Sequence, residues 1–349
     1  MPSQDPGLPL PELGWKPFFS SQVSAEEDRR CLPVRVMSVH RGAVSVLGER
    51  LDASIPSVLP RSKGPIDRPT VGDWLLVERD GLSPFRILDR SSLFKRPAPG
   101  DDRRIQLIAA NVDTLLIVTS CNDDFNVARL ERYLVLAGEV GVRPVVVLTK
   151  ADLTSSPEHF VDAASGLQIE LQVELINGRD TQSVARLADY CRLGETAALV
   201  GSSGVGKSTL INTLRSSDSI ETQAVRKSDG KGLHTTTVRQ MHRLGRGAEG
   251  GGWLVDTPGM RELQLSEVAS GVAEVFDDIV ALTLECRFTN CTHSGEPRCA
   301  VRAALDQGEL APARYERWCK LAAEDRVNTG IAAVRRARPA KGRRTLNDG

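Results

Sequence analysis

The sequence lacks any apolar run close to the roughly 18 residues that a membrane-spanning helix needs. It also lacks the basic start and apolar core of a secretory signal peptide, since Met1–Phe19 is rich in proline instead. Both absences predict a soluble protein of the cytoplasm. In that compartment the seven cysteines should stay reduced, so clustered cysteines are expected to be metal ligands and not disulfides.

The chain has no excess of charge of either sign. Its 45 lysines and arginines balance 45 aspartates and glutamates, so the overall charge gives no indication of a nucleic-acid partner. Two stretches are locally basic: residues 226–246 hold a single acid, Asp229, and residues 335–344 hold none. Basic stretches attract phosphate backbones through counterion release. For the C-terminal stretch, a solvated and disordered tail over residues 331–349 is an equally good interpretation.

At 349 residues the chain is long enough for two or three domains. After an N-terminal extension over residues 1–31, residues 32–97 show short runs of β-branched residues separated by turn residues. This pattern predicts a small barrel of about five strands that looks like an oligonucleotide-binding (OB) barrel. Because barrels that bind nothing have the same pattern, the residues of the barrel do not decide its function.

Residues 98–265 have a different pattern, in which apolar strands alternate with amphipathic helices. Such alternation predicts an α/β domain with a mostly parallel sheet and with ligands at the carboxyl ends of its strands. The predicted elements are the strands Thr114–Thr119, Pro144–Leu148, Ile169–Ile176 and Thr196–Val200 and the helices Val127–Val140 and Ser183–Cys191. Residues 266–330 lack the strand pattern, and their helical segments predict a third, mostly helical domain.

A phosphate-binding loop lies between a predicted strand and a predicted helix. The segment that matches G-x-x-x-x-G-K-[ST] comprises Gly201, Ser202, Ser203, Gly204, Val205, Gly206, Lys207, Ser208 and Thr209. Its glycines let backbone N–H groups turn towards phosphates, and the helix N-terminus adds its positive end. In this motif, Lys207 is expected to reach the β- and γ-phosphates, and Ser208 is expected to ligate Mg²⁺.

A second phosphate-contacting motif follows the loop by about fifty residues. A short apolar strand ends in D-x-x-G, where Asp256 would orient the hydration shell of Mg²⁺ and the Gly259 amide would contact the γ-phosphate. The polar segment 232–237 lies between the two motifs, and either Thr235 or Thr236 is expected to complete the Mg²⁺ shell in the triphosphate state.

A base-recognition motif, T-K-x-D, follows the predicted strand Pro144–Leu148 and comprises Thr149, Lys150, Ala151 and Asp152. The Asp152 carboxylate would accept hydrogen bonds from guanine N1–H and the exocyclic amine, a donor pair that adenine lacks. The same tetrapeptide also occurs as an ordinary helix start. Its place at a strand end, beside the phosphate motifs, favours guanine recognition.

Four metal-ligating residues lie within fourteen positions, with the spacing C-x4-C-x-H-x5-C. They are Cys286, Cys291, His293 and Cys299. Three cysteines and one histidine suit a tetrahedral Zn²⁺ site, and a complete protein shell indicates a structural ion; a disulfide is the weaker alternative. The remaining cysteines are scattered and are expected to be lone thiols, with Cys319 a remote backup ligand: Cys31, Cys121, Cys191 and Cys319.

The motifs occur in an unusual order. The base-recognition motif normally follows D-x-x-G, whereas here it precedes the phosphate loop, so chain upstream of the loop must complete the sheet. This permuted order, with a barrel before it and a Cys/His cluster after it, resembles the ribosome small subunit-dependent GTPase A family. The resemblance covers about residues 34–302, and the segment 232–236 and the motif that begins at Asp256 contribute to it.

The resemblance implies a GTP-hydrolysing factor in late maturation of the small (30S) ribosomal subunit. It further implies a slow intrinsic GTPase that the subunit stimulates, contact with rRNA, one structural Zn²⁺, and Mg²⁺ with the GTP. We expect a monomer when the protein is free, and no membrane partner.

The sequence departs from the pattern of that family at two places, and it differs from Ras-like enzymes at a third. The family often has asparagine at Thr149, so a tie between base and phosphate loop is expected to be lost. Ile176–Gly178 does not match the small base-backing motif expected there. Met260 stands where Ras-like enzymes have a water-orienting glutamine, which predicts slow turnover until a partner orders the switch. His234 is a candidate replacement for that glutamine, although a surface histidine in a loop is the simpler interpretation.

Two other functions fit the same motifs. The chain would be a GTPase that acts on another RNA or on a protein, in which case that partner and not the small subunit would stimulate hydrolysis. Alternatively, it would be a non-catalytic RNA-binding assembly factor with GTP as a structural ligand. A Lys207 substitution that preserves nucleotide binding would then leave its action intact.

Overall fold

The computed structural model describes residues 8–59, 64–97, 105–216, 239–244, 251–256 and 269–337. The chain divides into two compact units, one of residues 1–133 and 140–264 and the other of residues 134–139 and 265–349. Among the described residues, no helix is long and apolar enough to cross a membrane. The three-domain division stays a prediction.

The first unit begins with two short helices that the sequence analysis did not predict, α1 (Pro17–Ser20) and α2 (Ala25–Arg30). Ser24 and Glu27 form a reciprocal capping box at the start of α2. Five antiparallel strands follow in the spatial order β3-β2-β1-β4-β5. Their bounds are β1 Cys31–Val39, β2 Ala43–Gly48, β3 Leu51–Pro56, β4 Trp74–Glu78 and β5 Pro84–Ile87.

The core between these strands consists of aliphatic side chains that point to one face. They are Val34, Val36, Val44, Val46, Ile55, Leu75 and Val77. The strand β3 was not predicted, because Asp52 and Ser54 interrupt its apolar residues. It is stabilised by its pairing with β2, from Gly48 opposite Leu51 to Ala43 opposite Pro56, and its own sequence has only a weak strand pattern.

Six further strands complete an eleven-stranded mixed sheet. They are β8 Thr114–Ser120, β9 Arg143–Thr149, β10 Gln172–Ile176, β11 Thr196–Val200, β12 Arg239–Arg243 and β13 Trp253–Asp256. The order β10-β9-β8-β11-β13 is parallel throughout, and β12 runs antiparallel to β13. Because β12 also pairs with β1, through Val39 opposite Arg239, the N-terminal strands continue the same sheet.

A separate two-stranded sheet joins β6 (Leu93–Pro97) to β7 (Ile105–Ala110). These two strands lie on either side of the predicted domain boundary at residues 97 and 98. The boundary therefore separates two strands that are hydrogen-bonded to each other. Neither strand was predicted.

Four α-helices alternate with the strands of the sheet, and the helix Pro157–Ser165 among them was not predicted. They are α3 Val127–Val140, α4 Pro157–Ser165, α5 Thr181–Ala185 and α6 Lys207–Ser216. Residues 134–139 of α3 belong to the second unit. The bounds of α3 match the prediction. The strand predicted from Ile169 begins only at Gln172, since Ile169 is 78% exposed and Glu170 has a left-handed backbone. The predicted helix Ser183–Cys191 is an α-helical turn that Asp180 caps, followed by a 3-10 helix over Arg186–Tyr190.

The second unit is helical in its described part, with α7 Ala269–Val275, α8 Asp277–Leu284, α9 Ala300–Gln307 and α10 Pro312–Ala337. Arg314 joins α10 to the preceding helices, because it donates to both carboxylate oxygens of Asp278 and to the Val275 carbonyl. Its guanidinium also lies 4.9 Å from the centre of the Phe276 ring. Since α10 extends to Ala337, the N-terminal part of the predicted disordered tail is helical, and residues 338–349 lie outside the described residues.

Candidate nucleotide and metal sites

The phosphate loop occupies the turn between the end of β11 and the start of α6, as predicted. Gly201 has a φ of +144°, and a Cβ there would lie 2.2 Å from the Val118 carbonyl oxygen. Gly206 has a φ of +101°. Only glycine adopts these conformations without strain, which explains the glycines of the motif.

The side chains of Lys207, Asp124 and Thr149 each contact the phosphate loop. Lys207 Nζ donates to the carbonyls of Gly201, at 2.8 Å, and Ser202. The Ser202 hydroxyl donates to Asp124 Oδ2 at 2.6 Å, and the Thr149 hydroxyl lies 2.5 Å from the Val205 carbonyl oxygen. The loop is therefore held at both of its ends.

Thr149 contacts the phosphate loop through its hydroxyl. Its hydroxyl lies within hydrogen-bonding distance of the Thr119 carbonyl, at 3.0 Å, and of the Val205 carbonyl in the phosphate loop. Thr149 is 2% exposed, so this contact is shielded from water. The Thr149 hydroxyl therefore joins the T-K-x-D motif to the phosphate loop. The predicted loss of an amide that ties the base to the loop stays a prediction.

A cavity at the carboxyl end of β9 brings together the base-recognition motif and the start of the phosphate helix. It is lined by Thr149, Lys150, Asp152, Leu153, Asn177, Gly178, Arg179, Gly206 and Thr209. Lys150 has a left-handed backbone, and the turn Ala151–Leu153 follows it with Asp152 exposed at the cavity.

The segment expected to back the base reaches the same cavity. Asn177 and Gly178 line it, whereas Ile176 is fully buried in the core. The Gly178 carbonyl accepts from Thr213 Oγ1 of α6 at 2.7 Å, which ties this segment to the phosphate helix. The sequence analysis missed Leu153 and Arg179, although each directly follows a motif residue.

Other predicted residues lie at or beyond the limits of the described chain. Asp256 ends β13, next to β11, and its backbone pairs with Gln240. His234, Thr235, Thr236, Gly259 and Met260 lie outside the described residues. Their roles stay predictions.

The four predicted metal ligands converge between α8 and α9. The ligand atoms of Cys286, Cys291, His293 and Cys299 all lie within 4.8 Å of one another. Cys286 Sγ is 3.8 Å from Cys299 Sγ and 3.6 Å from His293 Nδ1. Tetrahedral bonds of the length usual for zinc and sulfur separate two sulfurs by about 3.8 Å, so the donor set fits such an ion.

The chain between these ligands is fixed by Glu296. Its carboxylate accepts hydrogen bonds from the backbone N–H groups of Thr292, at 2.7 Å, Ser294, at 3.0 Å, and Gly295, at 3.1 Å. It also accepts one from the Thr292 hydroxyl. The hydrogen bonds from Thr292 hold the pKa of Glu296 well below its usual range. His293, within this turn, has a φ of +60°, a left-handed conformation that the turn must stabilise.

Comparison with known proteins identifies the family. The RsgA GTPase family model matches residues 87–266, about half of the chain. The chain is also 46% identical to the small ribosomal subunit biogenesis GTPase RsgA of Mesorhizobium japonicum. The aligned 325 residues cover 92% of this chain and 91% of that protein. The chain belongs to the RsgA GTPase family. A further relative, RsgA 2 of Vibrio parahaemolyticus, is 43% identical over 331 residues, 94% of this chain and 89% of that protein.

Two solved structures share the fold of this RsgA GTPase. YjeQ from Thermotoga maritima is 25% identical with a TM-score of 0.59, over 83% of this chain and 97% of that one. YloQ, described as a circularly permuted GTPase, is 23% identical with a TM-score of 0.56, over 89% of this chain and 97% of that one.

The sheet order accounts for the permutation. In this RsgA GTPase the phosphate-loop strand β11 lies between β8 and β13, and the base-recognition strand β9 lies beyond β8. Strands β8, β9 and β10 precede β11 in the sequence, so upstream chain supplies that half of the sheet. The predicted circularly permuted GTPase fold is confirmed.

Proposed function

We propose that this RsgA GTPase hydrolyses GTP in late maturation of the small ribosomal subunit. The observation that carries the proposal is that the T-K-x-D motif and the phosphate loop meet at one cavity, at the carboxyl ends of the parallel strands β9 and β11. Asp256, the first residue of D-x-x-G, ends the parallel strand β13 beside β11. Relatives over most of the chain are named small ribosomal subunit biogenesis GTPases, which supports the choice of partner.

The roles of the side chains follow from where they lie. The backbone N–H groups of residues 201–209 and the N-terminus of α6 would bind the phosphates. Lys207 would turn from the loop carbonyls to the β- and γ-phosphates, and Asp152 would read the guanine edge. Ser208, Asp256 and a switch threonine, Thr235 or Thr236, would hold Mg²⁺, whose charge offsets that of the phosphates.

Slow intrinsic turnover is part of the proposal. Methionine at position 260 has no group that can orient an attacking water, so hydrolysis would depend on a partner that orders the switch segment. His234 is the candidate residue to orient that water once the segment is ordered. The small subunit, through its rRNA, would be the ordering partner.

The N-terminal strands support an assignment as an OB-like barrel. Their order, β3-β2-β1-β4-β5, is that of a five-stranded barrel left open between β3 and β5. This barrel, together with the basic segments 226–246 and 335–344, would contact rRNA. The free protein would be a cytoplasmic monomer.

The Cys₃His cluster would hold one structural Zn²⁺. Three thiolates and one imidazole complete a tetrahedral shell, so no position is left for a substrate. The ion would join the end of α8 to the start of α9. Its role would be to fix that turn, since the described helices of the second unit supply few other buried side chains there.

The replacement Glu296→Gln is expected to accelerate zinc release about tenfold. The variant retains the size of the side chain but loses the anionic acceptor that holds three backbone N–H groups of the ligand-bearing turn. Release is measured as the rate at which a chromophoric chelator takes zinc from the purified protein. Glu309→Gln, an exposed glutamate beyond α9, is the matched control. Equal release rates in the two variants would show that Glu296 does not hold the turn.

The partner is tested by GTP hydrolysis with purified ribosomal subunits. We expect a slow rate for the protein alone and a large stimulation by small subunits, with none by large subunits and no comparable hydrolysis of ATP. Stimulation by another RNA or protein in place of the small subunit would favour the first alternative function. A non-catalytic factor would show nucleotide binding without stimulated hydrolysis.

A further inference from the structure

A carboxylate from outside the nucleotide motifs contacts the phosphate loop. Asp124 lies between β8 and α3, 78 positions before Ser202, and its Oδ2 accepts from the Ser202 hydroxyl at 2.6 Å. We propose that Asp124 is a positioning residue which, through Ser202, holds the phosphate loop in the conformation that receives the nucleotide. The inference rests on the proposed binding of GTP at this loop.

The short segment that carries Asp124 is itself fixed. The Asn122 side-chain oxygen accepts from the Ser120 hydroxyl, at 2.7 Å, and from the Asp124 backbone N–H, at 3.1 Å. Ser120 ends the fully buried strand β8. On the other side, Asn126 caps α3 by accepting from the Arg129 backbone N–H at 3.0 Å. Asp124 is thus attached to a rigid strand and a rigid helix, which a positioning residue requires.

A carboxylate beside a phosphate site would repel the nucleotide unless its charge were offset. Arg129 supplies the offset, because its guanidinium lies 3.4 Å from Asp124 Oδ1 and donates to the Asp124 carbonyl at 2.7 Å. The other carboxylate oxygen, Oδ2, is the one directed at Ser202. Asp124 therefore acts on the loop mainly as a hydrogen-bond acceptor.

The contact gains importance when nucleotide binds. Thr149 holds the Val205 end of the loop, whereas Lys207 and Asp124 hold the Gly201 and Ser202 end. If Lys207 turns to the phosphates, the Ser202 hydroxyl remains the tie at that end. A loop whose backbone is already ordered loses less conformational entropy on binding, most of all at its glycines, so a loop that is held beforehand binds its ligand more tightly.

The test is the equilibrium binding of a fluorescent GDP analogue to the full-length protein. Asp124→Ala and Ser202→Ala are each expected to raise Kd about fivefold. The double variant should also show about a fivefold increase, since the two side chains form one contact. Asp124→Asn retains an oxygen that accepts from Ser202 and should stay within about twofold of the wild type.

Asp123→Ala is the matched control. It removes the same charge from the neighbouring, exposed position and has no hydrogen bond to the phosphate loop in the described structure, so its Kd should stay within about twofold of the wild type. A positioning role also predicts that Asp124→Ala raises KM for GTP more than it lowers kcat, because saturating nucleotide restores the loop.

The possible outcomes distinguish a failure of this inference from a failure of the proposed function. Wild-type protein that does not bind the analogue would overturn the proposed function. Tight binding by the wild type with unchanged Kd in Asp124→Ala and Ser202→Ala would overturn only the positioning role. That role would also be wrong if the increases in Kd from the two substitutions multiplied in the double variant. It would be wrong as well if Asp124→Asn raised Kd as much as Asp124→Ala.

Discussion

The Asp152→Asn variant is expected to bind GTP about 100-fold more weakly than the wild type and to accept xanthosine triphosphate instead. Asp152 lines the cavity beyond β9, where a carboxylate can accept from guanine N1–H and the exocyclic amine. An asparagine keeps one acceptor and gains an N–H donor. That donor faces the amine of guanine unfavourably, but it matches the carbonyl that xanthine carries at the same position.

Competition between unlabelled nucleotides and a fluorescent GDP analogue would measure this exchange of base preference. Asp162→Asn, an exposed aspartate on α4, is the control and should bind GTP like the wild type. If Asp152→Asn retained its preference for GTP, the T-K-x-D motif would not be the base-recognition element of this chain.

The Arg35→Ala variant is expected to lose about 3 to 5 kcal/mol of unfolding free energy. Arg35 is 2% exposed and reaches from β1 to three other parts of the first unit. It donates to the Leu13 carbonyl and to Thr196 Oγ1, at 2.6 Å, and it lies 5.8 Å from the centre of the Trp74 ring. Burial lowers its pKa to about 10, so the guanidinium stays charged at neutral pH.

Removal of this side chain leaves buried acceptors without their donor and opens a cavity beside Trp74. Urea unfolding followed by tryptophan fluorescence would measure the loss. Arg41→Ala is the matched control, because Arg41 is exposed in the turn between β1 and β2 and should change the unfolding free energy by less than about 0.5 kcal/mol. Equal stability of the two variants would show that Arg35 does not hold the N-terminal segment to the sheet.

The elements that the sequence predicted correctly are those specified by their own residues and not by distant partners. The helix α3 and the strand β11 have the predicted bounds, because each carries its own apolar periodicity and end signals. The phosphate loop and the Cys₃His cluster were likewise predicted, since their chemistry fixes the spacing of their residues. Each nucleotide motif directly follows a predicted strand, and this shared position predicted that the motifs lie at one edge of the sheet.

What the sequence did not predict depends on partners far along the chain. The strand β3 is specified by its pairing with β2, and β6 by its pairing with β7, and neither has a strong pattern of its own. The contact between Asp124 and Ser202 spans 78 positions, and no local pattern relates these residues. Thr149 shows the same limit, because the contact of its hydroxyl with the Val205 carbonyl spans 56 positions and follows from no local pattern.

The most direct test of the account is the hydrolysis of xanthosine triphosphate by the Asp152→Asn protein, with and without purified small ribosomal subunits. Other GTPases that accompany ribosomal subunits do not obscure this measurement, because they select guanine. The account predicts slow hydrolysis by the variant alone, a large stimulation by small subunits, and none by large subunits. Xanthosine triphosphate hydrolysis that small subunits leave unchanged, in a variant that binds this nucleotide, would contradict the proposal that this RsgA GTPase acts on the small subunit.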